Sequence, residues 1–233
     1  MNGHGRGGGL VIAIDGPSGS GKSSTAKGVA RARELSYLDT GAMYRAITWW
    51  MLDNGIDVAD AAAVAEAAAR PVITVGTDPS APTIEVDGAD VAGAIRADGV
   101  TGSVSAVSAV PEVRELLVAR QREIIAEACA TTAGIVVEGR DITTVVAPDA
   151  PVKLFLTASA EARAQRRSRE VRSSDVAATQ EALARRDRLD SSRSVSPLTR
   201  TDDATELDTT GLSLDEVVAL VVKLADEAQA QAV

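Results

Sequence analysis

Between residues 16 and 23 the chain carries the residue types that bind phosphate. The segment reads G-P-S-G-S-G-K-S, which fits the pattern G-x-x-x-x-G-K-[ST] of a phosphate-binding loop. Its glycines let backbone N–H groups turn towards a phosphate, and the following helix N-terminus adds roughly half a positive charge. Lys22 can reach the β- and γ-phosphates of a nucleotide, and the Ser23 hydroxyl can bind Mg²⁺. The residues expected to bind the nucleotide are Gly16, Pro17, Ser18, Gly19, Ser20, Gly21, Lys22, Ser23 and Ser24.

The residues on either side of this loop supply the elements that it needs. Residues 10–15 form an apolar, β-branched run that indicates a buried strand, and residues 24–31 have apolar positions at helical spacing. A strand, a glycine-rich loop and a helix in this order are the context in which the motif binds a nucleotide. A plain glycine-rich turn is the alternative, and motif and context together favour nucleotide binding.

Two further polar segments follow predicted strands. Residues 39–45, D-T-G-A-M-Y-R, follow the second strand and open a helix, which puts Thr40 and Arg45 beside the phosphate loop as a natural acceptor site. Residues 138–141, E-G-R-D, lie just past a buried strand, where ligand-binding groups gather in open α/β sheets. Taken alone, the second segment would indicate an ordinary turn with a surface ion pair.

Composition and charge narrow the classes of ligand. The 233 residues carry a net charge of −9, which argues against a nucleic-acid surface. No apolar run reaches the length of about 18 residues that a transmembrane helix requires. Of the 20 arginines, ten lie between residues 161 and 200, and such a segment in an acidic chain suggests a small polyanion as ligand. A solvated helix face would account equally for about half of them.

The remaining pattern alternates between helix and strand. We expect strands at 35–39, 135–138, 152–156 and 205–208, and helices at 42–54, 59–69, 111–130, 161–172, 176–188 and 213–229. Ser213 and Glu216 form a predicted capping box at the start of the last helix. Two short strands, 72–75 and 83–86, stand outside the alternation and indicate an inserted sheet. The predicted fold is α/β: a three-layer P-loop NTPase fold with a central parallel sheet flanked by helices.

Together, these motifs resemble those of the bacterial cytidylate kinases, a family of nucleoside monophosphate kinases. The resemblance extends from Val11 to about Val222 and includes the small insertion at about 71–105. Besides the phosphate loop, it rests on residues 39–45, 105–114, 139–146, 148–156 and 186–193. It implies transfer of the γ-phosphoryl group of ATP to CMP and dCMP, with Mg²⁺ as cofactor.

The resemblance also implies roles for individual residues. The residues implied to bind the CMP phosphate are Arg45, Arg140 and Arg186; those implied to recognise the base are Thr40, Arg114, Asp141 and Arg193; those implied to contact the sugar are Ser105 and Asp190. The catalytic groups implied are Lys22, Arg163, Arg167 and Arg186. Arg163, Arg166 and Arg167 fall where the family has a mobile lid over ATP.

Physical chemistry supports this reaction independently. A phosphate oxygen of the acceptor is already ionised near neutral pH, so catalysis needs positioning and charge neutralisation. The only histidine, His4, lies in a glycine-rich tail, which argues against a histidine-dependent mechanism. The three lid arginines share one helical face, and Arg186, Asp190 and Arg193 share another if their helix extends that far. Such faces could close over two nucleotides and exclude water.

The expected organisation is one kinase domain, residues 10–233, after a flexible tail at 1–9. Its core comprises about 10–70 and 106–233, the NMP-binding insertion about 71–105, and the helical lid about 160–192. Within the lid, the polar segment 168–175 has only Val171 as an apolar anchor, which suits a part that orders on ligand binding. We expect a cytoplasmic monomer without membrane or nucleic-acid partners, since no helix carries a sustained apolar seam.

Other functions remain open from the sequence. Another small-molecule P-loop kinase, such as one for shikimate or thymidylate, would share the fold but should lack the inserted sheet and the G-R-D segment in this arrangement. A regulatory GTPase is less consistent, because residues 90–93 match D-x-x-G only weakly and no N-K-x-D motif for guanine occurs. A non-catalytic module would bind nucleotide without turnover.

Overall fold

The computed structural model describes residues 9–171 and 174–231. Its elements in chain order are β1 (Leu10–Asp15), α1 (Lys22–Ala32), β2 (Ser36–Asp39), α2 (Thr40–Asp53), α3 (Ala61–Ala67), β3 (Ile73–Val75), β4 (Ile84–Val86), β5 (Ala89–Asp90), a 3₁₀ turn (Ala94–Arg96), α4 (Asp98–Val107), α5 (Pro111–Thr131), β6 (Gly134–Glu138), a π-helix (Ile142–Val146), β7 (Val152–Thr157), α6 (Ala160–Val171), α7 (Val176–Ser192), β8 (Thr205–Asp208) and α8 (Leu214–Gln231). In this part of the chain no helix is both long and apolar enough to cross a bilayer.

The central sheet has five parallel strands in the order β2-β6-β1-β7-β8. Its centre is apolar on both sides, with Ile12 of β1 opposite Val136 of β6 and Val152 of β7. At its carboxyl edge the residues turn polar, and Asp39 at the end of β2 lies in register with Glu138 at the end of β6. The loops that follow these strands therefore meet at one edge, where open α/β sheets bind ligands.

Two apolar layers cover the faces of this sheet. Ile12 and Ile14 pack with α1 and α8, for example against Val221, while Ala13 and Val137 lie in the cluster formed with α2 and α5. This assignment of alternate residues to opposite faces follows from the two-residue period of a strand. The three-layer α/β fold predicted from the sequence is confirmed.

The insertion contains more structure than the sequence indicated. The antiparallel sheet β3-β4-β5 includes both predicted strands, each one residue shorter than expected. It is followed by α4, a helix that the sequence did not predict because glycine and β-branched residues lower its helix propensity. Val100, Val104 and Val107 are nevertheless buried at helical spacing, and α4 packs against α2. Tertiary packing therefore overrides local propensity here.

Residues 142–146 form a π-helix that the sequence did not indicate either. The run I-T-T-V-V is β-branched, yet the carbonyl oxygen of Asp141 accepts bonds from the N–H groups of Val145 and Val146, at 2.9 and 3.2 Å. The N–H groups of Ile142 and Thr143 bond instead to Asp15, as described below. The Asp15 carboxylate, distant in the sequence, thus accepts the first N–H groups of this helix, which the local sequence leaves without a partner.

The lid helices differ from the prediction at one end. Helix α7 continues to Ser192 rather than ending at 188, so Arg186 and Asp190 share it, and Arg193 stands immediately after its last residue. Of the predicted polar segment 168–175, residues 172 and 173 lie outside the described residues, as does the predicted tail apart from Gly9. The predicted capping box is confirmed, since the Ser213 N–H donates to Glu216 at 2.8 Å and the Glu216 N–H to Ser213 at 3.3 Å.

Candidate active site

A cleft of about 600 Å³ opens at the carboxyl ends of the parallel strands. The structure brings most of the predicted site residues together in its lining. These are Ser18, Gly19, Ser20, Gly21, Lys22, Ser23, Ser24, Thr40, Arg45, Ser105, Arg114, Arg140, Asp141, Arg166, Arg167, Arg186, Asp190 and Arg193. Three predicted residues, Gly16, Pro17 and Arg163, do not line the cleft.

The phosphate loop is held tightly at its start. Gly16 has φ +147°, and a Cβ at this position would lie 2.1 Å from the carbonyl oxygen of Leu156, so its contribution is close packing against β7. Lys22 begins α1 and arches back over the loop, where its Nζ donates to the carbonyl oxygen of Pro17 at 2.8 Å and to Ser20 Oγ at 3.4 Å. The loop therefore presents one buried ammonium group to the cleft.

The surroundings of Lys22 weaken its hold on a proton. Burial, with a further contribution from the nearby Arg140, lowers the pKa of Lys22 to about 7, although Glu138 and Asp15 act in the opposite direction. An anionic ligand would replace the lost hydration and favour the charged ammonium. The lysine is thus arranged to bind negative charge.

Two carboxylates at the strand ends adjoin the phosphate loop. Burial raises the pKa of Glu138, and its carboxylate accepts a hydrogen bond from the Tyr37 hydroxyl at 2.7 Å. Burial also opposes ionisation of Asp39, but the Arg45 guanidinium, 2.9 Å away, and the Ala42 N–H hold its pKa below the usual value. Asp39 caps α2 and orients Arg45 at the same time.

Arg140 connects the phosphate loop with the lid. Its Nη2 donates to Ser18 Oγ at 3.1 Å, and its Nε donates to Asp190 of α7 at 3.0 Å. Beside it, burial and the charge of Arg140 lower the pKa of Arg186 to about 10. The Nε atoms of Arg45 and Arg186 are buried without an acceptor among the described residues. The three arginines predicted to bind the CMP phosphate therefore line the same cleft as the phosphate loop.

A buried ion pair lies deeper in the cleft. Arg114 of α5 pairs with Asp141, and both side chains are about 5% exposed or less. The guanidinium group also donates to the Ser108 carbonyl oxygen at 3.1 Å and lies 5.4 Å from the centre of the Tyr44 ring. Nearby, the Thr40 hydroxyl donates to the carbonyl oxygen of Glu138 at 2.7 Å. The pair and the hydroxyl form a polar wall of the cleft.

The insertion and the lid meet through the two predicted sugar-binding residues. Ser105 of α4 lies 3.4 Å from Asp190 of α7, and both are buried. Arg193 donates to Ser108 Oγ at 3.2 Å and to the carbonyl oxygen of Asp190 at 3.2 Å. Residues 105 and 190, which are far apart in the sequence, thus form one polar cluster.

The three lid arginines have different surroundings. Arg163 pairs with Asp187 and donates to the Ser18 carbonyl oxygen at 3.1 Å, whereas Arg166 bonds Thr209 through both terminal nitrogens, at 2.8 and 2.6 Å. Arg167 lines the cleft and pairs with Glu170 at 2.9 Å. The shared helical face predicted from the sequence therefore divides into Arg163, which lies outside the cleft lining, and Arg166 and Arg167, which both line it. Of these two, Arg166 is bonded to Thr209 and Arg167 to Glu170.

Sequence reasoning missed several residues of the site. Tyr44, Arg96 and Thr209 line the cleft, and Asp187 joins α7 to the phosphate loop by accepting the Ser18 N–H at 3.3 Å. Tyr44 lies inside the motif at 39–45 and could have been selected there. Arg96 and Thr209 lie in segments without a recognisable motif, and only the folded chain brings them to the cleft.

A metal ion would find few protein ligands here. Residues 9–171 and 174–231 contain no group of three or more His, Cys, Asp or Glu side chains that could hold a metal ion. Ser23, by contrast, is exposed at the start of α1 and lines the cleft. Such a donor set fits Mg²⁺, which keeps several waters and binds through substrate phosphates rather than through an all-protein cage.

Comparison with known proteins gives a consistent result. A model of the family described as cytidylate kinase matches residues 12–227. The cytidylate kinase of Streptomyces griseus subsp. griseus is 63% identical over 217 residues, which cover 93% of this chain and 93% of that protein. That of Nocardia farcinica is 55% identical over 213 residues, with 90% of each chain covered. A solved gluconokinase structure from Sinorhizobium meliloti 1021 matches with a TM-score of 0.50 at 15% identity, covering 96% of this chain and 95% of that one, and supports the fold alone.

Proposed function

The chain belongs to the cytidylate kinase family, and on this basis we propose that its cleft binds ATP at the phosphate loop and CMP at the arginine-rich wall beside it. The protein is an ATP-dependent nucleoside monophosphate kinase that transfers the γ-phosphoryl group of ATP to CMP and gives CDP and ADP. Family membership decides against the regulatory GTPase and the kinases for other small molecules.

The observation that carries the proposed binding arrangement is the position of Arg140. This side chain bonds the phosphate loop through Ser18 and the lid through Asp190, so it lies between the proposed donor and acceptor phosphates. Arg45 and Arg186 would complete the binding of the CMP phosphate with their free Nε groups. Lys22, with Arg167, would neutralise the charge that spreads over the transferring group.

The hydrogen-bond polarity of the wall supports recognition of cytosine. The Thr40 hydroxyl donates a hydrogen bond to the Glu138 carbonyl oxygen, so its lone pairs remain as acceptors for the cytosine amine. Asp141 is a second acceptor, and Arg114 is a donor for cytosine N3. Uracil presents the opposite polarity at both positions. We therefore propose that Thr40, Arg114, Asp141 and Arg193 recognise the base.

The sugar contacts explain why dCMP should also be a substrate. Asp190 accepts from Arg140 and lies beside Ser105, so it keeps partners when no 2′-hydroxyl is present. The loss of the ribose hydroxyl then leaves no unpaired buried carboxylate, which would otherwise be costly. We propose Ser105 and Asp190 as the sugar contacts and dCMP as a second acceptor.

Mg²⁺ is proposed as the cofactor, with Ser23 as its protein ligand. Bound together with ATP, such an ion would neutralise charge that develops during transfer. The chain's own contribution is the Ser23 hydroxyl in the first turn of α1, hydrogen-bonded to the Glu138 carboxylate. The described ranges hold no cluster of three or more His, Cys, Asp or Glu side chains, which agrees with a metal brought in with ATP.

For the whole chain we propose one kinase domain, residues 10–233, with an NMP-binding insertion at about 71–105 and a lid at about 160–192. We also propose a cytoplasmic monomer without membrane or nucleic-acid partners. Size-exclusion chromatography with light scattering tests the monomer, and a stable dimer would contradict it.

One assay tests the function. ADP release from ATP is measured with CMP, dCMP, UMP and AMP as acceptors, and with none. We expect turnover with CMP and dCMP, weak turnover with UMP and little with AMP. ATP binding without CMP-stimulated ADP release would identify a non-catalytic module and would refute the proposal. Turnover that favours AMP or UMP would refute the proposed base contacts while leaving the kinase activity intact.

A further inference from the structure

We propose that Asp15 is a positioning residue that fixes Asp141, and through it Arg114, in the orientation that recognises the base. The proposal rests on the base contact proposed above for Asp141. Asp15 ends β1 immediately before Gly16, its side chain is fully buried, and it is not part of the cleft lining. It therefore does not touch a substrate and must act through other residues.

Both oxygens of the Asp15 carboxylate are occupied by the start of the π-helix. Oδ1 accepts the Ile142 N–H at 2.9 Å, and Oδ2 accepts both the N–H and the hydroxyl of Thr143, at 2.7 Å each. The first N–H groups of a helix have no partner within the helix, so a carboxylate at this position caps them. Residue 15 thus caps a helix that begins 127 positions later in the chain.

This cap and the first bonds of the π-helix together fix the peptide unit that follows Asp141. The peptide N–H that follows Asp141 belongs to Ile142 and is bonded to Asp15, while the Asp141 carbonyl oxygen accepts from Val145 and Val146. Rotation about the Cα–C bond of Asp141 is therefore restricted, and its carboxylate pairs with Arg114. Loss of the cap would free the Ile142 and Thr143 N–H groups and let this turn of the chain reorient.

Asp15 itself sits on a rigid support. The carbonyl oxygen of the preceding residue, Ile14, accepts the Gly139 N–H at 3.0 Å, and Gly16 packs against the carbonyl oxygen of Leu156 without room for a Cβ. The strand end is thus held from both neighbouring strands. The packing of Gly16 holds the start of the phosphate loop without the Asp15 carboxylate, although the charge of Asp15 helps to keep Lys22 protonated. At about pH 6, where Lys22 stays charged, an isosteric change at Asp15 should therefore affect CMP recognition more than ATP binding.

The test compares Asp15→Asn with Thr143→Val and a matched control. Asparagine keeps the shape but replaces one acceptor oxygen with an NH₂ group, which opposes an N–H donor. Valine is isosteric with threonine and removes only the hydroxyl bond. Thr48→Val is the control, since Thr48 is a fully buried threonine whose hydroxyl donates to the Tyr44 carbonyl oxygen at 2.7 Å and lies outside the cleft lining.

The readouts, all taken at about pH 6, are kcat/KM for CMP and for UMP, and KM for ATP. We expect the CMP-to-UMP ratio to fall about tenfold in Asp15→Asn, about threefold in Thr143→Val and not at all in Thr48→Val, with the ATP KM changed less than about twofold. A purely structural role would lower the amount of active enzyme and would leave this ratio unchanged.

An unchanged ratio in Asp15→Asn, when Asp141→Ala lowers it, would overturn the positioning role and leave the proposed base contact standing. An unchanged ratio in Asp141→Ala would refute the base contact, and the positioning role with it. If Asp15→Asn does not fold, Thr143→Val decides alone, because it removes one of three bonds without a change of shape. An unchanged ratio in that variant would then overturn the proposal.

Discussion

The ammonium group of Lys22 lies 2.8 Å from the carbonyl oxygen of Pro17, five residues earlier in the phosphate loop. The side chain is held across the loop rather than extended into solvent, and it is 5% exposed. The amine is therefore buried but still faces the cleft, where charged phosphates can reach it. Two properties should depend on it: the turnover number and the uptake of protons when ATP binds.

Removal of the ammonium group should abolish most of the activity. We expect Lys22→Ala to lose at least ~100-fold in kcat, the scale for removing one preorganised electrostatic donor. The variant should stay folded, since the substitution shortens a side chain that occupies the cleft. Lys223→Ala is the control, because Lys223 lies on α8 in an exposed pair with Glu227. Near-normal turnover in Lys22→Ala would contradict the assignment of this lysine to the transferring phosphates.

Proton uptake on ATP binding should reveal the low pKa of Lys22. In the free enzyme this pKa is lowered to about 7, so at about pH 8 the amine is mostly neutral. Bound phosphates raise the pKa, so the complex holds a proton that the free enzyme lacks, and binding takes up protons at this pH. Titration calorimetry in two buffers of different ionisation enthalpy measures the uptake. Lys22→Met should abolish it, and equal uptake in both proteins would contradict the prediction.

Two arginines near the C-terminal end of α6 permit a paired test of the lid. Arg167 lines the cleft, whereas Arg169, two residues further along the same helix, is exposed. We expect Arg167→Ala to lower kcat by about 10- to 100-fold, since it removes a positive charge near the proposed donor phosphates, and Arg169→Ala to change kcat by less than about twofold. Equal kcat values for the two variants would show that Arg167 has no part in the transfer.

The site residues differ in how well the sequence alone could predict their roles. The phosphate loop, the motif at 39–45 and the G-R-D segment were predictable because each is a local pattern at a strand end. The different partners of Arg163, Arg166 and Arg167 could not be predicted, because helical spacing shows only that side chains share a face and not which groups lie opposite them. Helix α4 and the π-helix were missed for a related reason, since buried valines in one and Asp15 in the other override the local propensity.

The sugar cluster gives a prediction about the second acceptor. Ser105 lies 3.4 Å from Asp190, and we expect Ser105→Ala to remove a contact to the sugar without leaving Asp190 unpaired, since Arg140 still donates to it. The variant should lose about three- to tenfold in kcat/KM, with the ratio of CMP to dCMP altered and the ATP KM unchanged. Ser103→Ala, an intermediate-burial serine on the same helix outside the cleft lining, is the control. Identical CMP-to-dCMP ratios in Ser105→Ala and wild type would exclude Ser105 as a contact that distinguishes the two sugars.

The base contact of Asp141 has the sharpest test, because it predicts a ratio and not only a loss. Asp141 accepts the cytosine amine in the proposed complex, whereas uracil would place its O4 against the same carboxylate. One base contact is worth about 1–3 kcal/mol, so Asp141→Ala should lower kcat/KM for CMP by ~5- to 150-fold and that for UMP much less. The substitution also leaves the buried Arg114 without its partner, which should destabilise the fold by several kcal/mol at most. Since that loss affects both substrates alike, the CMP-to-UMP ratio separates the two effects.

Asp149→Ala is the control for this ratio. Asp149 is an exposed aspartate in the loop before β7, and its substitution should leave the ratio unchanged. If Asp141 only pairs with Arg114 to hold its loop, both substrates will suffer equally, and an unchanged ratio would rule out recognition of the base by this residue even where overall activity falls.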